Sequence, residues 1–211
     1  MKKSSVKVIV EKLDKVYFGA KPELIFSSNY ELLVAVILSA QCTDERVNKV
    51  TKVLFKEYNT PESMLKLKKE ELAKIILPCG LNNSKADHIL KASKKIVEDY
   101  GGVVPSEYSA LLSLPGVGRK TANVVSAVAF EKDAIAVDTH VFRVSNRLGL
   151  AKAKTPLETE KALMKAIDKN MWSKVHHYLI YHGRRVCTAR NPNCKECFLY
   201  NECCYKNKGE I

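Results

Sequence analysis

Two stretches of this 211-residue chain carry residue types and spacing that could do chemistry. The first is Leu114-Pro115-Gly116-Val117-Gly118-Arg119-Lys120-Thr121, set between two segments of helical period. Glycine adopts backbone conformations closed to other residues, so a turn holding Gly116 and Gly118 can approach a phosphate and aim N–H groups at it. A helix starting there adds the attraction of its N-terminal dipole for an anion. The turn therefore reads as a phosphate clamp, although an ordinary helix-turn-helix corner would use the same two glycines. Lys120, just behind it, reads on residues alone as a solvated phosphate-binding lysine. A dinucleotide fingerprint fails on context. Asp138 does lie twenty residues past Gly118, but the preceding segment is helical, Thr121 stands where the third glycine belongs, and no βαβ alternation surrounds it.

The second stretch is Cys187-x6-Cys194-x2-Cys197-x5-Cys203, four thiols within seventeen residues. Structural zinc favours two short-spaced pairs, and only Cys194 with Cys197 fits that habit. Wider gaps suit a 4Fe-4S cubane, which takes four cysteine ligands. Such a cluster has no open site and would act structurally, fixing a loop whose Arg184, Arg185, Arg190 and Lys195 could present charge to phosphates. An odd total of seven cysteines and no export signal favour a reducing compartment over disulfides. Cys42 and Cys79 sit alone in apolar settings and read as packing residues, while Cys204 has no assigned role. The five histidines do not share a metal-binding helix face, which argues against zinc hydrolysis.

Lys plus Arg total 35 against 23 Asp plus Glu, a net charge of +12 that makes a polyanion the expected partner. A 4Fe-4S centre held by four thiolates would lower this only to about +10. No apolar run approaches the roughly 20 residues needed to cross a bilayer, so the sequence predicts a cytosolic chain with no membrane partner. The elements that must carry the two motifs are helical. Tyr30–Gln41 is apolar on every side, as a central buried helix would be. Asp44–Tyr58, Glu70–Leu77, Ser84–Tyr100 and Glu107–Leu112 follow with apolar residues at three and four spacing. Thr155-Pro156-Leu157-Glu158 spells a capping box with proline at the first helical position. Asp138 precedes a helical pattern at Val141, Val144 and Leu148 and can cap it, and Asn83-Ser84 could cap another helix. The one β-like run is Ala134–Val137.

Taken together these segments resemble the endonuclease III family of DNA base-excision glycosylases. LSAQCTD (Leu38 to Asp44), GLNNSKA (Gly80 to Ala86), LPGVGRKTANVV (Leu114 to Val125), VDTHVFRV (Val137 to Val144) and the cysteine spacing follow that family in its order. The resemblance implies an all-α, two-domain helix-hairpin-helix fold with a 4Fe-4S cluster loop. A six-helix domain would span 22–132, and 1–21 would join 133–211 to build the cluster domain, with DNA across the cleft between them. It implies a bifunctional DNA N-glycosylase and abasic-site β-lyase that removes oxidised pyrimidines in base-excision repair through a lysine Schiff base. The partner would be double-stranded DNA with a damaged base or abasic site, and the enzyme a cytoplasmic, nucleoid-associated monomer.

Carried over residue by residue, the nucleophile is Lys120 and the carboxylate is Asp138. The chemistry agrees: a carboxylate stabilises the oxocarbenium-like sugar, and a primary amine can attack C1′ and collapse to an imine that permits β-elimination. Extruding a base leaves a hole in the stack. By resemblance Gln41 hydrogen-bonds the orphaned partner and Leu81 wedges into the stack, whereas on residues alone Gln41 is a polar helix end and Leu81 a loop hydrophobe. Gly116, Gly118, Arg119, Arg143, Arg184 and Arg190 complete the expected DNA contacts. His140 either supports the site or packs structurally. Two rivals are a monofunctional mismatch glycosylase, which typically lacks a lysine at the nucleophile position, and a non-catalytic DNA-binding module.

Overall fold

The computed structural model describes residues 3–205. Residues 1, 2 and 206–211, which the expected cluster domain includes, lie outside the described residues. The chain divides into two compact units, Pro22–Glu131 and the discontinuous pair Met1–Lys21 with Lys132–Ile211. Both are helical, and the described residues contain no strand.

The Pro22–Glu131 unit holds α2 (Asn29–Leu38), α3 (Asp44–Leu54), α4 (Pro61–Met64), α5 (Lys69–Ile75), a 3-10 turn at Leu77–Cys79, α6 (Asn82–Tyr100), α7 (Tyr108–Leu112) and α8 (Arg119–Ala129). Its centre is α2, in which every residue from Tyr30 to Leu38 is buried. Ser28 starts this helix by accepting from the Glu31 amide, and Glu31 reaches back to the Ser27 amide. The helix ends at Leu38, short of the expected Gln41, because the chain turns at Ser39 and Gln41 takes a left-handed conformation. Burial of its aliphatic side chains stabilises the unit by about 1.5–3 kcal/mol each.

The second unit holds α1 (Lys3–Tyr17), α9 (Thr139–Leu148), α10 (Pro156–Ala166), a 3-10 turn at Lys169–Met171 and α11 (Trp172–Arg185). The Thr155–Glu158 capping box forms with Pro156 in its predicted place. Ile9, Leu13, Val141, Val144, Val175 and Leu179 share its core. Ala134–Val137 is buried but is no strand: the described residues offer no strand for it to pair with, and Ile135 and Val137 join this core instead. Beyond α11, residues 187–205 form no helix. No helix among the described residues is long and apolar enough to cross a membrane.

Candidate active site and cluster loop

The hairpin turn is built by packing from below. Leu114 and Val117 are buried, and the Val117 amide closes the turn on the Leu114 carbonyl at 3.0 Å. Gly116 is required twice over. Its φ is +79°, and a Cβ there would lie 2.7 Å from the Cβ of His88 on α6. Gly118 caps α8 without any side chain, and a Cβ there would meet nothing, so its surroundings are open. Arg119 and Lys120 occupy the first two positions of α8, both exposed, with no acidic residue in that turn. The positive end of an eleven-residue helix thus coincides with two cationic side chains.

Gln41 and Leu81 also lie in this unit, and both are exposed. They share an uncommon backbone: φ is 55° at Gln41 and 50° at Leu81, left-handed values that L side chains rarely adopt. Leu81 itself occupies the N-cap of α6, so Asn83 and Ser84 fall inside that helix instead of capping it. Cys79 is buried as expected of a packing residue, and Cys42 packs half-buried against the same core.

The other named residues belong to the second unit. Asp138 caps α9, its Oδ1 accepting from the Val141 amide at 2.7 Å, which fixes the carboxylate's direction. Two residues on, His140 is half-buried, and burial holds its pKa below the ordinary value against the opposing pull of Asp138; Arg143 and Arg184 add to the lowering. Arg143 Nη2 lies 3.2 Å from His140 Nδ1. A guanidinium only donates, so Nδ1 is the acceptor. Arg143 also donates to the carbonyls of Gly183 at 2.9 Å and Cys187 at 3.0 Å, turning most of its donors toward protein groups. The crossing of α9 and α11 is close enough that a Cβ on Gly183 would sit 2.9 Å from the Cβ of His140. Arg184 is half-buried beside His140, and Arg190 is exposed.

Cys187, Cys194, Cys197 and Cys203 line a single pocket and all are free thiols. Among the described residues no three Cys, His, Asp or Glu side chains converge closely enough to hold one metal ion. Four soft thiols spread around one cavity fit a multi-iron cluster better than a lone ion. Arg147 and His182, outside the motif, line this cavity, and Tyr17 backs His182. Arg147, one helical turn beyond Arg143, donates to the carbonyls of Thr188 at 2.7 Å and Ala189 at 3.0 Å and lies 3.4 Å from the Cys187 sulfur. His182 Nε2 lies 3.6 Å from the Cys197 sulfur, and its Nδ1 lies 3.0 Å from the Tyr17 hydroxyl. Burial pushes His182 down to about 4, so the ring is neutral near pH 7. A ligating thiolate only accepts, which puts the ring hydrogen on Nε2 and makes Tyr17 the donor to Nδ1. The i, i+4 repeat of Arg143 and Arg147 was the one signal in the sequence that could have found Arg147. Nothing local marks Tyr17, which is 165 residues from His182.

Comparison with known proteins agrees with this geometry. Residues 34–169 match the family described as HhH-GPD superfamily base excision DNA repair protein, and residues 187–203 match the iron-sulfur binding domain of endonuclease III. The chain is 51% identical over 199 residues to endonuclease III of Bacillus subtilis, covering 94% of this chain and 91% of that protein. It is 48% identical over 205 residues to endonuclease III of Rickettsia conorii, covering 97% and 98%. A solved structure of a trapped endonuclease III–DNA covalent intermediate, an estranged-adenine complex, superposes with a TM-score of 0.94 at 45% identity over 100% of this chain and 98% of the other. The cofactor of the cysteine loop is accordingly a 4Fe-4S cluster. A glycine-bearing hairpin followed by lysine and a four-cysteine cluster loop thus meet in one chain because it belongs to the endonuclease III family, base excision repair enzymes that are DNA glycosylases and abasic-site lyases.

Proposed function

We propose that this enzyme removes oxidised pyrimidines from duplex DNA, with Lys120 as nucleophile and Asp138 as the carboxylate that stabilises the sugar cation. The observation that supports this most is Lys120 itself, an exposed amine in the open first turn of α8 behind a side-chain-free cap. The uncharged amine attacks C1′, the N-glycosidic bond breaks, and the base leaves with the electron pair and a proton. Loss of the amine proton and opening of the sugar give the imine. Removal of a C2′ proton then breaks the C3′–O bond, and water returns Lys120. Asp138 keeps Oδ1 on its helix cap, so the carboxylate that stabilises the sugar cation has a fixed direction.

Gly116, Gly118 and Arg119 grip phosphate through the α8 terminus, and Arg184 and Arg190 add contacts from the second unit. Gln41 and Leu81 fill the hole left by the flipped base. His140 and Arg143 support the Asp138 turn, Arg143 chiefly through its bonds to Gly183 and Cys187. The cluster, closed by Cys187, Cys194, Cys197 and Cys203, supplies a structural centre for the loop around it. Residues 22–132 and the pair 1–21 with 133–211 serve as the two functional domains, a division supported by the breaks after Lys21 and Glu131. We also take the enzyme to work as a monomer in the cytoplasm, beside the nucleoid that holds its substrate.

Borohydride trapping on an abasic duplex tests the mechanism. A covalent adduct is expected, absent in Lys120→Ala. An Asp138→Asn variant is expected to lose base release while still trapping on a preformed abasic site. Base release with no adduct would make the enzyme monofunctional.

A further inference from the structure

Lys85 is 4% exposed, yet it carries a charge into the core of the hairpin unit. Burying an ammonium costs several kcal/mol unless strong partners compensate. Here the partners are two backbone carbonyls. Lys85 Nζ donates to Leu38 O at 2.8 Å and to Cys79 O at 2.8 Å. Leu38 is the last residue of α2 and Cys79 the last of the 3-10 turn, so both carbonyls belong to chain ends that lack a helical partner. The negative end of the α2 dipole favours the cation as well. The backbone amide of Lys85 makes a third bond, to Leu81 O at 2.9 Å.

These ties fall beside the two strained residues. Leu38 lies three residues before Gln41, and Cys79 two before Leu81. A left-handed non-glycine residue is strained and persists only where its surroundings over-determine it. Burial lowers the Lys85 pKa, opposed by the nearby Cys42 and Cys79 thiols, which follow Gln41 and precede Gly80. One buried group therefore touches both loops on the core side of their exposed tips.

We propose that Lys85 is a positioning residue, tying the end of α2 to the turn before Leu81 so that Gln41 and Leu81 are held in the conformations from which they fill the hole in the duplex. This rests on the hole-filling roles given above to Gln41 and Leu81. Lys85 touches no reacting atom; it sets the spacing of the two side chains that must enter the stack together.

The test compares imine trapping on one abasic strand presented in duplex and presented alone, since a single strand has no hole to fill. Lys85→Met keeps the apolar stem and removes the donors. Its trapping rate is expected to fall at least tenfold on the duplex and to stay within about twofold on the single strand. Lys85→Gln, which retains a shorter donor, is expected to fall between Met and wild type and serves if the Met variant is poorly folded. In a Gln41→Ala/Leu81→Ala background, Lys85→Met should add no further loss, because coupled residues do not add. Equal losses on both substrates, no loss on the duplex, or a full additional loss in that background would each overturn the proposal. A Gln41→Ala/Leu81→Ala pair that loses nothing on duplex would instead show that the hole-filling reading itself has failed.

Discussion

The two units shape their candidate DNA-contact loops by different structural means. In the hairpin unit, the turn at Leu114–Gly118 stands on a dry core that includes α2, Leu114 and Val117, and its geometry follows from packing and two glycines. In the cluster unit, residues 187–205 have no helix; Leu199 and Phe198 anchor them on the core, and four thiols, Arg147 and His182 set the rest of their path. The first loop is held by side-chain burial alone, the second by ligation in addition to burial. A packed turn is specified by a few residues next to it, whereas a ligated loop is specified by distant residues and by a group that must be assembled into it.

Breaking the ligation should have the largest effect. In Cys197→Ser, hydrogen exchange is expected to show loss of protection across 187–205 while α2 and α8 keep theirs; uniform loss would mean that the two units do not differ in this way. Next comes the packed turn. Gly116→Ala adds a Cβ against His88 and forces an L residue to positive φ, a cost of about 1–3 kcal/mol, and His88→Gly should recover part of the lost stability and duplex affinity.

Acid should separate the units further. Four of the five histidines lie in the cluster unit, and burial with neighbouring His176 pushes His177 down to about 3. The folded state keeps this ring neutral, while the unfolded chain takes a proton near pH 6.5. Its contribution is therefore fully present above about pH 6.5 and shrinks as pH falls toward 3, by up to about 1.4 kcal/mol per pH unit. Melting temperatures should drop on going from pH 7 to 5, and His177→Gln should flatten that slope. The smallest effect concerns salt: with about five phosphates neutralised, log K against log salt should fall with a slope near −4.5. Arg190→Ala should make it shallower by about 0.9 if that side chain meets a phosphate.

The sequence made the hairpin unit easier to read than the cluster unit. The all-apolar face of Tyr30–Leu38 announced a central helix, and paired glycines before a lysine announced an open helix terminus, because both signals are local. The Asp138 cap and the Thr155 box were legible for the same reason. Ala134–Val137 misled, since β-branched alternation reports burial as readily as pairing. Asn83-Ser84 misled because a left-handed Leu81 starts α6 two residues sooner, a conformation that side-chain preferences disfavour. The cysteine spacing declared a multi-thiol centre, but Arg147, His182 and Tyr17 depend on the crossing of α1, α9 and α11, which no spacing encodes.

Gly183 illustrates how far such a crossing reaches. It sits in the last turn of α11, four residues before Cys187 and far along the chain from the hairpin, and its missing side chain leaves room for the imidazole two residues from Asp138. A single methyl group introduced there would act as a wedge under the turn that aims this carboxylate. If Asp138 serves the reaction as proposed, loss of activity in a natural variant at position 183 would look like damage to the reaction centre while altering none of its members, and a survey of harmful changes confined to the motif residues would overlook it.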